Sequence, residues 1–214
     1  MADATRSFVP AAGRDLFLPL YDPLQRMMGG DAVREDMIQA AALTPGQRVL
    51  DIGCGTGSLL VQLARQEGLE LLGLDPDALA LERARRKLDR VGAVVELDRG
   101  FSDALPYDSG SLDCVFSSFM FHHLKNDEKQ ATLREVRRVL APGGALHLSD
   151  FAPADDRADG VLARLLHAHV HDHAEGGIVR RLEEAGLSDA KELSARRTLF
   201  GRVAHYTGAI PASS

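Results

Sequence analysis

Between Arg48 and Ser149 the chain repeats one arrangement. A short apolar run gives way to a break, then to a longer stretch with apolar positions three or four residues apart. Apolar runs of strand length bounded by turn formers read as buried strands, and the wider spacing reads as helices with one inward face. Strands are therefore predicted over 48–52, 69–74, 93–97, 112–117 and 145–149, with helices over 57–67, 76–90 and 127–140. A helix over 32–43 precedes them, with Asp31 as its N-cap and Thr44-Pro45-Gly46 as its stop. Pro76 stands at a tolerated first-turn position. In the helix over 127–140, Asp127 and Gln130 form a capping-box pair, Leu133, Val136 and Leu140 face inward, and Arg134, Arg137 and Arg138 face out. Pro142-Gly143-Gly144 ends it.

Strands alternating with helices give a parallel sheet covered on both faces, and the right-handed crossover makes it doubly wound. After Ser149 the pattern changes. Helices over about 155–170 and 175–186 precede two strand-like segments, 189–198 and 201–207, joined at Leu199-Phe200-Gly201 as a hairpin on the sheet's edge. The expected architecture is α/β, with a mostly parallel seven-stranded sheet that turns antiparallel at its C-terminal end. Residues 1–30 are expected to form an N-terminal helical or irregular cap broken by Pro19 and Pro23, and residues 31–214 the main domain.

Composition narrows the function. The chain has 214 residues, 45% of them hydrophobic, which suffices for one full core. There is no tryptophan, so Leu, Val and Ala must fill most of it. A formal net charge of −6 lacks the basic footprint of a nucleic-acid binder. The cluster Arg83, Arg85, Arg86, Lys87 and Arg90 has the spacing of a solvated helix face. Cys54 and Cys114 have neither metal-site nor disulfide spacing. With no signal-peptide core in the first 20 residues and no span-length apolar stretch, a cytoplasmic, membrane-free protein is expected.

The chemistry concentrates in Val49-Leu50-Asp51-Ile52-Gly53-Cys54-Gly55-Thr56-Gly57, where a strand runs through a glycine-rich turn into a helix. Glycine admits positive φ and lets a ligand approach the main chain, and the helix start offers free N–H groups. In such sheets ligands bind beyond the strands' carboxyl ends, here between the first and fourth strands. A dinucleotide loop is spaced Gly-x-Gly-x-x-Gly; here the third glycine comes one place early and Ser58 stands where Gly or Ala is wanted. Asp51 at the loop's mouth repels a pyrophosphate but suits an ammonium group. Asp75, ending the second strand, has the spacing of a ribose-binding acid; N-capping the helix that starts at Pro76 is the competing role, and two carboxylate oxygens allow both.

At these residues the chain resembles the class I S-adenosylmethionine-dependent methyltransferases, and within them the small-molecule enzymes that include the ubiquinone and menaquinone C-methyltransferases. The resemblance runs over roughly 20–207. It is carried by 49–57, by Asp75, by Ala104-Leu105-Pro106-Tyr107 and Gly110-Ser111-Leu112-Asp113, by Ser117-Ser118 through Phe121-His122-His123-Leu124, and by Arg138 to Gly144. It implies a Rossmann-like fold, S-adenosyl-L-methionine as cofactor and S-adenosyl-L-homocysteine as product. It further implies that Gly53, Cys54 and Gly55 lie against the cofactor's methionine end, that Asp51 orders that loop or meets the amino group, and that Asp75 and Pro76 lie at the ribose. Ser117 and Ser118 would offer backbone contacts near the methionine end. Many relatives place an acid four residues before the Leu-Pro pair, at the adenine amino group; here that position is Phe101. Either Asp103 reaches the amino group, which is slightly favoured, or Phe101 and Ser102 supply stacking and backbone contacts.

Methyl transfer from a sulfonium is an in-line displacement, so the enzyme chiefly holds the acceptor behind the methyl group, and it needs a base only if the acceptor keeps its proton until late. The candidates are His122, Tyr21 and Asp150. His122 stands evenly between a base and a packing role, while for His123 packing within the loop is preferred. Tyr21 either faces the sulfonium from the cap or fastens the cap to the core. Asp150 either borders the acceptor pocket or caps a loop. The run His167, His169, His171 and His173 presents two i,i+4 pairs, fewer ligands per face than zinc requires, and no metal is expected. The expected activity is methylation of a small-molecule acceptor, with no nucleic-acid or membrane partner and oligomerisation left open. A ubiquinone or menaquinone acceptor is one option, against which stands the unlike cap around Met27-Met28-Gly29-Gly30. The alternative is a non-catalytic sensor or complex subunit that binds the same cofactor. The glycine spacing disfavours nicotinamide chemistry, and 117–120 lacks the Pro-Pro-aromatic signature of DNA amino-methylating enzymes.

Overall fold

The computed structural model describes residues 29–152, 177–198 and 201–212. In chain order the elements are α1 Gly30–Ala41, β1 Arg48–Ile52, α2 Ser58–Leu63, β2 Glu70–Asp75, α3 Ala78–Arg90, β3 Val95–Arg99, β4 Leu112–Ser118, a 3-10 turn Phe121–His123, α4 Asn126–Val139, β5 Leu140–Phe151, α5 Gly177–Glu184, β6 Ser188–Thr198 and β7 Gly201–Ala209. The strands form one seven-stranded sheet in the order β3-β2-β1-β4-β5-β7-β6. β1 to β5 are mutually parallel, and β7 enters antiparallel between β5 and β6. The order reverses between β1 and β4, which opens a crevice at their carboxyl ends.

Each sheet face carries its own core. Leu50, Leu72, Val115, Leu146 and Leu148 pack under α4 and α5, with Leu133, Val136 and Leu182. On the opposite face Val49, Leu71, Cys114 and Phe116 pack with Val33 and Met37 of α1, with Leu60 and Leu63 of α2, and with Leu88 of α3. Successive strand residues serve opposite faces, so nearly continuous apolar strands are what a doubly covered sheet requires. Both cysteines are free and buried. Among the described residues no helix is long and apolar enough to cross a membrane.

Several local expectations are corrected. Asp31 is not the N-cap of α1: Gly29 holds that place with φ 82, and Asp31 falls in the first turn, bonded to Arg34. The cap of α3 is Asp77, which accepts from the N–H groups of Leu79 and Ala80, so Asp75 is released from that role. At α4 the carboxylate of Glu128, not Gln130, reaches back to the Lys125 N–H at 3.0 Å. Arg138 does not point away from the protein. Its guanidinium donates to the carbonyls of Leu105 and Tyr107 at 2.9 and 2.8 Å and pairs with Glu135, tying the 105–107 segment to α4. Residues 1–28, the expected helix over 155–170 and the hairpin tip Leu199-Phe200 lie outside the described residues, and with them Tyr21 and the 167–173 histidines.

Candidate functional site

The turn after β1 is held by main-chain geometry that only glycine adopts without strain. Gly53, Gly55 and Gly57 have φ of 67, 51 and 75. The N–H groups of Gly53 and Cys54 both donate to the Leu74 carbonyl, and the Gly55 N–H donates to Asp75 Oδ2 at 2.8 Å. Asp75 Oδ1 accepts from the Asp77 N–H at 2.9 Å. One carboxylate thus joins the glycine turn, the end of β2 and the start of α3. From α3, Lys87 Nζ reaches Thr56 Oγ1 at 2.8 Å and Ser58 Oγ at 3.2 Å and fixes the turn from behind.

This turn forms one wall of a cleft of about 260 Å³. Of the expected cofactor residues, Asp51, Gly53, Cys54, Gly55, Asp75, Pro76, Ser102, Asp103 and Ser118 line it. Ser117 does not: its side chain is buried, and its hydroxyl is without a hydrogen-bond partner among the described residues. His122 and Asp150 lie outside the lining, whereas His123 is part of it. Further residues of the wall escaped the sequence reading, among them Arg34, Asp77, Met120 and Glu128. Only Asp77 left a usable signal, as an acid just before the helix. Arg34 reaches the site from α1 through tertiary packing, and it is only 3% exposed.

The cleft is electrostatically poised for a donor-rich ligand. Burial raises the Asp51 carboxyl to about 8; Arg34 opposes the shift and Asp75 adds to it. Burial also raises Asp75 to about 6, against the pull of the Asp77 and Gly55 N–H groups. Two buried carboxylate oxygens in this wall, Asp51 Oδ1 and Asp77 Oδ2, have no hydrogen-bond partner among the described residues. Buried acceptors left unmatched are costly, and binding sites are where such groups are retained for a ligand's donors. An amino acid's ammonium and a ribose's hydroxyls are donors of that kind, so the residues present fit a nucleoside bearing an amino-acid tail. Phe101, Ser102 and Asp103 line the same cleft. Ser102 itself shares a hydrogen bond with Thr132, Oγ to Oγ1 at 2.8 Å.

Beyond the β4 end lies a second group. Phe119 has φ 55, a conformation rare outside glycine, and its N–H donates to the Ser149 carbonyl at 2.9 Å. Its ring lies 5.7 Å from Phe151. His122 meets Phe151 edge-on at 5.1 Å and lies over His123 at 3.9 Å between centroids. His122 Nδ1 is 2.6 Å from Oδ1 of the fully buried Asp150. Burial lowers His123 to about 4, with His122 adding to the shift and Asp150 opposing it, so His123 meets the cleft as a neutral ring.

Comparison with known proteins gives concordant results. A family model described as a methyltransferase domain matches residues 49–144. A demethylmenaquinone methyltransferase of Thermus thermophilus is 37% identical over 153 residues, covering 69% of this chain and 68% of that one. An indolepyruvate C-methyltransferase of Streptomyces griseus is 32% identical over 162 residues, covering 71% of this chain and 49% of that one, so the match spans about half of the relative. Among solved structures, a Haemonchus contortus phosphoethanolamine N-methyltransferase in complex with S-adenosyl-L-methionine superposes with a TM-score of 0.80 at 15% identity, over 97% of this chain and 61% of that one.

Proposed function

We propose that this chain, which belongs to the class I S-adenosylmethionine-dependent methyltransferases, binds its cofactor in the β1–β4 crevice with the residues named above and methylates a small hydroxylated acceptor beside it. That it is an S-adenosylmethionine-dependent methyltransferase acting on a small molecule follows from the family; the residue roles and the acceptor are our reading. The observation that carries the site is the pair of unmatched buried acceptors, Asp51 Oδ1 and Asp77 Oδ2, beside a glycine turn of left-handed conformation. Asp51 and Arg34 then hold the amino-acid end, Asp75 and Asp77 the ribose, and Phe101 with Ser102 and Asp103 the base. Bound there, S-adenosylmethionine supplies an electrophilic methyl group on sulfur. The protein's part is to place the acceptor in line with it and to exclude water. His123, neutral in the wall, orients the acceptor.

The named C-methyltransferases among the relatives, acting on demethylmenaquinone and indolepyruvate, support an acceptor that is enolic or phenolic when it reacts. We place the protein in the cytoplasm on the same family grounds. Titration calorimetry tests the site: S-adenosylmethionine and S-adenosylhomocysteine should both bind saturably with a stoichiometry of one, and absence of binding on folded protein would refute it.

A further inference from the structure

We infer that Met120 sets the cleft's preference for S-adenosylmethionine over its demethylated product, by laying its thioether against the ligand's sulfur. This rests on the cofactor reading of the cleft and adds to it the group that senses the charge on that sulfur.

The place follows from the ligand's connectivity. Its sulfur is bonded both to the amino-acid chain and to the ribose arm. With the ammonium at Asp51 and the ribose at Asp75, the sulfur falls between them, along the Gly53-Cys54-Gly55 stretch of the wall. Met120 closes over the main chain at that point. β4 ends at Ser118, Phe119 turns the backbone at φ 55, and the Met120 carbonyl accepts the His123 N–H at 3.0 Å. Held this way, the side chain lies on Gly53. A Cβ there would meet Met120 Cγ and Cβ, the latter at 2.9 Å, and would stand 3.6 Å from Sδ. Met120 is partly exposed and lines the cleft.

A sulfonium is a cation with no N–H or O–H to donate. The unmatched carboxylate oxygens that suit an ammonium or a hydroxyl therefore cannot hydrogen-bond it. It is stabilised instead by an electron-rich, polarisable surface free of outward-pointing N–H dipoles. The glycine turn meets the second condition. The Gly53 and Cys54 N–H groups are spent on the Leu74 carbonyl, and the Gly55 N–H on Asp75. Cys54 does not meet the first. Its Sγ turns toward the sheet, 3.1 Å from where a Cβ on Gly73 would stand, and burial, with Asp51 and Asp75 adding to it, keeps it a neutral thiol. Met120 does meet it, because a thioether carries lone pairs, no polar hydrogen and a soft electron cloud. Once the methyl group has left, the ligand's sulfur is neutral. The attraction then disappears while the contact of shapes remains. Met120 therefore favours the methyl donor over the product, which a leucine of similar volume would not do.

Calorimetry with both nucleosides, on the wild type and on Met120→Leu, tests this. The exchange conserves volume, so the variant should keep its fold and melting temperature. Met120→Leu should weaken S-adenosylmethionine by about threefold to tenfold, the scale of thioether contacts, and S-adenosylhomocysteine by less than about twofold. Equal weakening of both would make Met120 a packing residue and overturn the inference, as would unchanged affinity for both. A second measurement uses the native side chain. The chain has five methionines, and with carbon-13 in their methyl groups the Met120 signal is the one that Met120→Leu removes. It should move when either nucleoside binds, and to different positions for the two. A signal that stays in place, or moves alike for both, would overturn the inference and leave the cofactor site standing. Wild-type protein that binds neither nucleoside would instead refute the cofactor site itself.

Discussion

Asp75 holds the glycine turn and the start of α3 together in the wall of the cleft, where the proposal sets the ribose. Each of its oxygens already takes a backbone N–H, from Gly55 and from Asp77, and each retains a second lone pair. Asp75→Ala should therefore weaken S-adenosylmethionine binding more than tenfold, at about 1.5–3 kcal/mol for each charge-assisted hydrogen bond lost, and calorimetry reads this directly. Unchanged affinity would remove it from the site. The raised carboxyls add a pH dependence. Asp51 at about 8 and Asp75 at about 6 carry protons in the ligand-free cleft at pH values where an ordinary carboxylate is ionised. A ligand ammonium favours the ionised forms, so binding should release protons and tighten as pH rises from 6 to 8. Calorimetry in two buffers of different ionisation enthalpy measures that release; a proton count of zero at pH 7 would contradict it. In sequence, Asp51 stood out at the mouth of the glycine loop and Asp75 at the end of a strand. Arg34 and the Asp150–His122 pairing did not, since both depend on which elements pack side by side.

Glycines set the spacing of the elements around the turn. A Cβ on Gly57 would lie 3.0 Å from Ala84 Cβ and 3.2 Å from its Cα, in a residue held at φ 75. Gly57→Ala should cost about 1–2 kcal/mol from the left-handed backbone alone, with more from pushing α3 away; a thermal melt checks it. On Gly53 the added carbon would meet the Met120 side chain, including Cβ at 2.9 Å, so Gly53→Ala should also displace the cleft wall opposite the turn. Elsewhere in the sheet, β5 and β7 bury a histidine pair, His147 Nδ1 to His205 Nε2 at 3.0 Å, with His147 stacked on Phe116. Burial lowers both to about 4; the neighbouring His205 adds to the shift of His147, and Asp36 opposes that of His205. The unfolded chain then binds more protons than the folded one between about 4 and 6.5, so this stability is present above 6.5 and is lost as pH falls through that window. The slope should be on the order of 1 kcal/mol per pH unit for each ring. Denaturant midpoints at successive pH values should show it, and a His147→Leu/His205→Leu double variant should flatten it. The pair was invisible in the sequence, because its 58-residue separation closes only when β7 inserts beside β5. The strands themselves were legible, β1 to the residue, because their apolar runs answer to burial on both faces. Caps were not: Asp75 and Gln130 each have an acid two residues away between which only backbone geometry chooses, and the cap of α1 is a glycine with no side chain to signal it.

At the scale of the molecule, the sheet order gathers the proposed ligand groups at one edge, at the carboxyl ends of β1, β2 and β4 and in the turns after them, with Arg34 reaching in from α1, beside two extensive cores. The fold should therefore stand without ligand and gain stability from it by mass action. At a concentration one hundred times Kd the gain is about 2.7 kcal/mol, and each kcal/mol raises Tm by about 2–4 °C in a domain of this size. S-adenosylhomocysteine should accordingly raise the melting temperature by roughly 5–10 °C. The variants divide the site. Asp75→Ala should lose most of that shift while keeping a cooperative melt, because its loss unties a loop and leaves both cores intact. His122→Gln should keep the shift in full, because the His122–Asp150 pair sits outside the cleft lining. Were His122→Gln to lose the shift and Asp75→Ala to keep it, the assignment of the two ends of the crevice would have to be exchanged.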